Sequence, residues 1–129
     1  MTRTTGAFTV MSWEEKPYDC AGDQPALMQA SATYEMLGDI EGEASVCYLM
    51  GYGTNGVASY VGLARVTGKV GERDGNFVMQ DIGAFENGVA SGRWTVLPGL
   101  ASGGLSTVSG DGQYSAGPDG VSYSLELSF

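Results

Sequence analysis

Histidine is absent from this 129-residue chain, and its absence removes much reaction chemistry. Ser–His–Asp and Cys–His nucleophiles both need an imidazole. A zinc site without His would need several Cys, and only Cys20 and Cys47 are present. The sequence has no phosphate-binding loop, dinucleotide glycine fingerprint or calcium loop. The glycine-rich piece GLASGGLSTVSG, Gly99 to Gly110, lacks the lysine of a phosphate loop and reads as tight turns at a barrel mouth. What remains is general acid–base work through Glu14, Glu15, Glu35, Glu41, Asp81 or a tyrosine. A carboxyl buried enough to raise its pKa is the form best suited to that work, whereas the same acids on a rim are only solvated charge. Neither a metal nor a cofactor is expected.

The stretch Tyr48 to Phe85 must position any such group. It holds three apolar, β-rich runs joined by Thr54-Asn55-Gly56 and Arg73-Asp74-Gly75. Asn-Gly and Asp-Gly between such runs signal hairpins, because both residues tolerate the positive φ of a primed turn. The middle run, Val57 to Thr67, is apolar on both parities: Ala58, Tyr60, Ala64 and Val66 on one, Val57, Val61 and Leu63 on the other. A strand covered on both faces follows, one lining a closed barrel and the other meeting a partner.

The remaining elements are read in the same way. Strand one is expected over Gly6–Glu15, with Phe8 and Val10 on one parity and Met11 and Trp13 on the other, ended by Lys16-Pro17. Tyr18–Gln24 reads as a loop. Helix formers crowd Pro25–Leu37, yet Met28, Ala30, Ala32, Tyr34 and Met36 keep a period of two, so a strand is expected. Gly38–Gly42 turns the chain into Glu43–Tyr52, Glu86-Asn87-Gly88 marks a further hairpin, and Val89–Leu97 follows as a strand. Pro98–Gly110 is too rich in Gly and Ser for a strand. Its Leu100, Leu105 and Val108 suggest a short helical turn plugging something apolar. Gly112–Ala116, a turn at Pro118-Asp119-Gly120, and Val121–Phe129 complete the set. Eight short strands with regular turns predict an all-β fold, an eight-stranded antiparallel β-barrel or a sandwich. Closure removes the exposed edges of an open sheet. A single domain over 1–129 accounts for the length.

Composition sets the outer bounds. Twenty-one Gly against four Pro suits short strands with frequent turns. A net charge of −9 with only six Lys and Arg argues against nucleic acid and against an anionic membrane surface. Without an apolar leader or an 18-residue apolar run, a cytoplasmic chain with reduced thiols is expected.

Several motifs resemble a known family. SWEE (Ser12 to Glu15), GDIEG (Gly38 to Gly42), YLMGY (Tyr48 to Tyr52), VGLARVTG (Val61 to Gly68), the run from Gly75 to Gly83, and the WTVLPG and SGGL pieces between Trp94 and Leu105 are similar, in this order, to the DUF3224 family of small bacterial proteins. The resemblance covers nearly the whole chain. It implies a barrel like that of allene oxide cyclases and dirigent proteins, with an apolar cavity and assembly as dimers or trimers. Two departures stand out: Ala64 occupies a position where the family commonly has Glu, and Asp81 one where it commonly has His. An inward-facing acid–base pair would then be half lost.

Shape and soft apolar surface are what such a cavity offers. Trp13, Tyr48, Met50, Tyr60, Met79 and Trp94 are expected to bind substrate, with Tyr52, Asp81 and Glu14 as catalytic candidates. Met adapts to irregular ligands, and aromatic faces stabilise π systems or cationic character. The resemblance implies a cyclase or isomerase acting on a flexible apolar molecule of polyene or polyketide type. A pericyclic closure such as a cycloaddition needs no nucleophile, and holding the reacting ends together is worth at most roughly 7–11 kcal/mol. A non-catalytic carrier for an apolar molecule and a ligand-free interaction module are the alternatives.

Overall fold

The computed structural model describes residues 1–20 and 22–129. Its strands are β1 (Thr2–Asp19), β2 (Leu27–Gly38), β3 (Ile40–Tyr52), β4 (Ala58–Val70), β5 (Arg73–Glu86), β6 (Val89–Val96), β7 (Ser102–Gly103), β8 (Ser109–Gly117) and β9 (Gly120–Ser128). No helix occurs among the described residues. Every neighbouring pair is antiparallel, β4 pairs with β5, and β9 returns to β1, so eight strands close an up-and-down barrel. The two-residue β7 sits beside Gly75 and Asn76, where β6 has already left the edge of β5.

Side-chain alternation places the core inside. In β4 the buried residues Ala58, Tyr60, Ala64, Val66 and Val70 alternate with exposed Ser59, Val61, Leu63, Arg65 and Lys69. Of the two apolar parities in this run, the one carrying Ala58, Tyr60, Ala64 and Val66 therefore faces inward. The opposite face lies open in the single chain, with Val61 47% and Leu63 49% exposed beside Leu49 and Ile82.

The two ends of the barrel differ. At the end bearing the β2–β3 and β4–β5 turns, Met36, Ile40, Val66, Phe77, Leu125 and Leu127 fill the interior. Leu105 and Val108, in the turns between β7 and β8, close it as a plug. Leu100, expected to join that plug, is instead 45% exposed on the outside.

Several strand ends differ from the sequence reading. Pro17 pairs with Met28 and does not end β1. β9 accompanies β1 only from Thr2 to Gly6, so the far half of β1 has one free edge, where a residue lacking N–H costs no ladder bond. The loop expected at Tyr18–Gln24 includes Ala21, which lies outside the described residues. The β4–β5 turn falls at Gly71-Glu72, with Gly71 at φ +63°, and not at Arg73–Gly75. Gly75 instead lets β7 approach, since a Cβ there would meet Ser102 O at 2.2 Å. Asn87 (φ 55°) and Gly88 (φ 81°) form the expected primed turn.

Replacing Leu105 with Ala should cost about 2–5 kcal/mol, the range for emptying a buried leucine site, whereas Leu100→Ala should change stability by less than about 0.5 kcal/mol. Urea unfolding of both variants checks this. Equal losses would contradict the plug.

Candidate functional site

The end of the barrel opposite the plug is open. A pocket of about 440 Å³ enters there, lined mainly by apolar and aromatic side chains that include Phe8, Val10, Trp13, Tyr48, Met50 and Trp94. Tyr48, Met50 and Tyr52 come from alternate positions of β3, and Ala58 and Tyr60 from β4. A bulge in β1 between Val10 and Ser12 changes which residues face in. Phe8 and Val10 lie on one side of it and Trp13 and Glu15 on the other, yet all four line the pocket. An extra residue reverses the alternation, so Trp13 and Val10 share a face that strict parity had separated.

Beneath the pocket lies Asp81, 1% exposed. On β5 it follows Phe77 and Met79 inward, opposite Gly62 of β4 and Trp94 of β6. Tyr114 donates to Asp81 Oδ1 at 2.8 Å and Tyr48 lies 3.2 Å from Oδ2. Tyr34 is bonded to Tyr48 at 2.8 Å, and Tyr60 is bonded to Tyr114. The Trp94 indole N–H has no hydrogen-bond partner of good geometry, although it lies close enough to Asp81 to favour the ionised carboxyl. All six Lys and Arg side chains are exposed, so no cation reaches the cluster.

Burial therefore dominates the electrostatics. It raises the Asp81 pKa above the ordinary 3.8, against the Tyr114 hydroxyl, the nearby Trp94 N–H and the Tyr48 hydroxyl, which pull it down. The Tyr34, Tyr48 and Tyr114 hydroxyls are likewise held above the usual phenol value, first by burial. Tyr60 is pushed up to about 12, again chiefly by burial.

Glycines make room for these rings. Tyr48 lies across from Gly62, Tyr60 from Gly83, Tyr114 from Gly92 and Tyr123 from Gly6. A Cβ would sit 2.7 Å from the Tyr48 ring at Gly62, from the Tyr60 hydroxyl at Gly83 and from the Tyr114 hydroxyl at Gly92.

Among the expected site residues, Trp13, Tyr48, Met50, Tyr52, Tyr60 and Trp94 line the pocket. Trp13 and Tyr52 stand at its mouth, each 44% exposed, and both donate to Glu15, at 3.0 and 2.6 Å. Tyr52 is pushed up to about 12 by partial burial and then by that bond. Glu14 is exposed on the outside of β1 and cannot reach the pocket, because the bulge turns Glu15 inward in its place. Met79 is buried in the filled part of the core and is not part of the pocket wall. Tyr34 and Tyr114 were missed as site residues. Their signal was an inward parity shared with Ala32 and Met36 in one case and with Gly112 in the other. Ala64 does face inward, against Met79. Among the described residues, no group of three or more His, Cys, Asp or Glu could hold a metal ion, and both cysteines are free and exposed. Among the described residues, no helix is long and apolar enough to cross a membrane.

An eight-stranded closed barrel with a pocket at one end defines the structural class. The chain belongs to the DUF3224 family of proteins of unknown function, whose model matches residues 4–128. A DUF3224 protein of unknown function from Shewanella oneidensis MR-1 is similar in structure, with a TM-score of 0.79 and 23% identity over 100% of this chain and 98% of that one. At that identity the likeness shows the fold alone. No curated protein matches the chain.

Asp81 also gives stability a pH signature. Its folded pKa lies above the unfolded 3.8, so the native state binds the proton more tightly. This stabilisation is complete below 3.8 and is lost as pH rises through the folded pKa. Asp81→Asn cannot ionise. The melting temperature of Asp81→Asn should therefore gain on that of the wild type as pH is raised from 4 to 8, and parallel curves would contradict the assignment.

Proposed function

We propose that the protein binds a flexible, mainly apolar small molecule in the open end of the barrel and catalyses its ring closure or isomerisation without a cofactor, as allene oxide cyclase-like barrels do. The observation that carries this reading is the pairing of an apolar, aromatic pocket of about 440 Å³ with a buried carboxyl–tyrosine cluster at its floor. Such a volume accommodates a molecule of natural-product size. The walls would hold the reacting ends together, and the hydroxyls would supply fixed dipoles where charge develops in the transition state. Tyr48 and Tyr114 stand between Asp81 and the pocket, so any proton passes through a phenol rather than directly from the carboxyl.

The same geometry supports a second reading. Because Asp81 is covered, the pocket can bind without turnover, as a carrier would. A linear conjugated polyene separates the two. Catalysis predicts loss of the polyene's ultraviolet absorption with a ring-closed product of unchanged mass. Trp13→Ala at the mouth should lower kcat/KM by about tenfold or more, a loss of transition-state stabilisation. Binding of the polyene without conversion leaves only the carrier, and conversion unaffected by Trp13→Ala would displace the reaction from this pocket.

A further inference from the structure

Once Asp81 is protonated, the floor of the pocket holds one proton more than its own hydrogen bonds can use. Tyr34, Tyr48, Asp81, Tyr114 and Tyr60 form an unbranched chain of four bonds: Tyr34–Tyr48, Tyr48–Asp81, Asp81–Tyr114 and Tyr114–Tyr60. Each phenol brings one O–H, and a neutral carboxyl brings one more. With Asp81 ionised, four protons serve four bonds and every phenol points along the chain toward the carboxylate. With Asp81 neutral, five protons meet four bonds. The carboxyl O–H must then donate to one phenol, that arm of the chain reverses, and its terminal hydroxyl turns outward.

Distances select the arm. Asp81 to Tyr114, at 2.8 Å, is an ordinary O–H···O separation, whereas Asp81 to Tyr48, at 3.2 Å, is beyond it. With Asp81 protonated, the contact in which Tyr114 donates to the carboxylate is reversed, and the hydrogen bonds run from Asp81 to Tyr114 and from Tyr114 to Tyr60, whose side chain lines the pocket. Around Asp81 stand Tyr34 of β2, Tyr48 of β3, Tyr60 of β4, Trp94 of β6 and Tyr114 of β8. None carries a positive charge, and all six basic side chains are exposed. Burial without a cation favours the neutral carboxyl.

We infer that the pocket takes an apolar molecule bearing a carbonyl oxygen, which accepts a hydrogen bond from the Tyr60 hydroxyl at the end of a relay fed by Asp81. This rests on the small-molecule reading above and narrows its ligand class. An organic amine, which needs acceptors, is not served by Tyr60; its acceptor in this pocket is the Glu15 carboxylate at the mouth.

Calorimetric titration of the wild-type protein at pH 6 with butyrophenone, butylbenzene and phenylbutylamine tests the inference without any variant. The ketone should bind about tenfold tighter than the hydrocarbon, the scale of one net hydrogen bond. Tyr60→Phe should remove that preference and Tyr34→Phe should keep it, with circular dichroism confirming that both are folded. In the wild type the preference should weaken as pH rises. Equal binding of ketone and hydrocarbon overturns the carbonyl assignment but leaves the pocket standing. A ketone preference over the hydrocarbon that grows with pH, or one lost in Tyr34→Phe and kept in Tyr60→Phe, also overturns it. If none of the three probes binds, the small-molecule reading itself fails and the inference falls with it.

Discussion

A carboxyl group enclosed by a sheet, with no cation inside the barrel to meet it, must take its partners from neutral hydroxyls or remain protonated. Asp81 does the first through Tyr48 and Tyr114 and is driven toward the second by burial. Both partners arrive from distant strands, β3 and β8, so the barrel must close before the cluster exists. The phenols in turn need space across the sheet, and glycine supplies it: Gly62 beside Tyr48, and Gly92 beside Tyr114. One buried carboxyl group thus constrains five strands, and it accounts for glycines that no turn requires.

The division of labour along the barrel axis follows. One end is solid with aliphatic and aromatic packing, sealed by Leu105 and Val108, and it supplies much of the buried apolar area that holds the fold. The other end is hollow, and its walls are rings rather than aliphatic chains. Trp94 and Tyr114 stack with centroids 4.7 Å apart, and Tyr48 meets Tyr60 edge-on at 5.3 Å. Such contacts hold side chains that are packed on only one side. The bulge in β1 completes the mouth by bringing Trp13 and Glu15 onto the face that Phe8 and Val10 already occupy.

Much of this was legible in the sequence. Period-two alternation grouped Tyr60 with Ala64 in β4 and Phe77 with Asp81 in β5, on faces that the barrel turns inward, and Asn-Gly turns marked two hairpins. What escaped shares one cause, since single-strand periodicity carries no information about the neighbouring strand. Met11 at the bulge looks like any other residue in the run, so Glu14 was chosen where Glu15 faces in. Gly71 and Asp74-Gly75 both signal a turn, and only the pairing with β7 shows which of them makes it. Met79 has the correct parity for the pocket but lies too deep, because height along the axis depends on the stagger between strands. Tyr114 gains its meaning only from meeting Asp81 across 33 residues of chain, and Tyr34 only from its bond to Tyr48, which meets Asp81 in turn; pattern reading does not span such pairings.

The central claim is that Asp81 stands neutral at the floor of the barrel, with tyrosine hydroxyls in the place of a counter-ion. Carbon-13 NMR of protein labelled at aspartate side-chain carboxyls, with the Asp81 resonance assigned by its loss in Asp81→Asn, reads that protonation state directly. A resonance that stays at the protonated shift well above pH 3.8, after exposed aspartates have ionised, is the predicted result. An Asp81 signal that titrates alongside the surface carboxyls would contradict it.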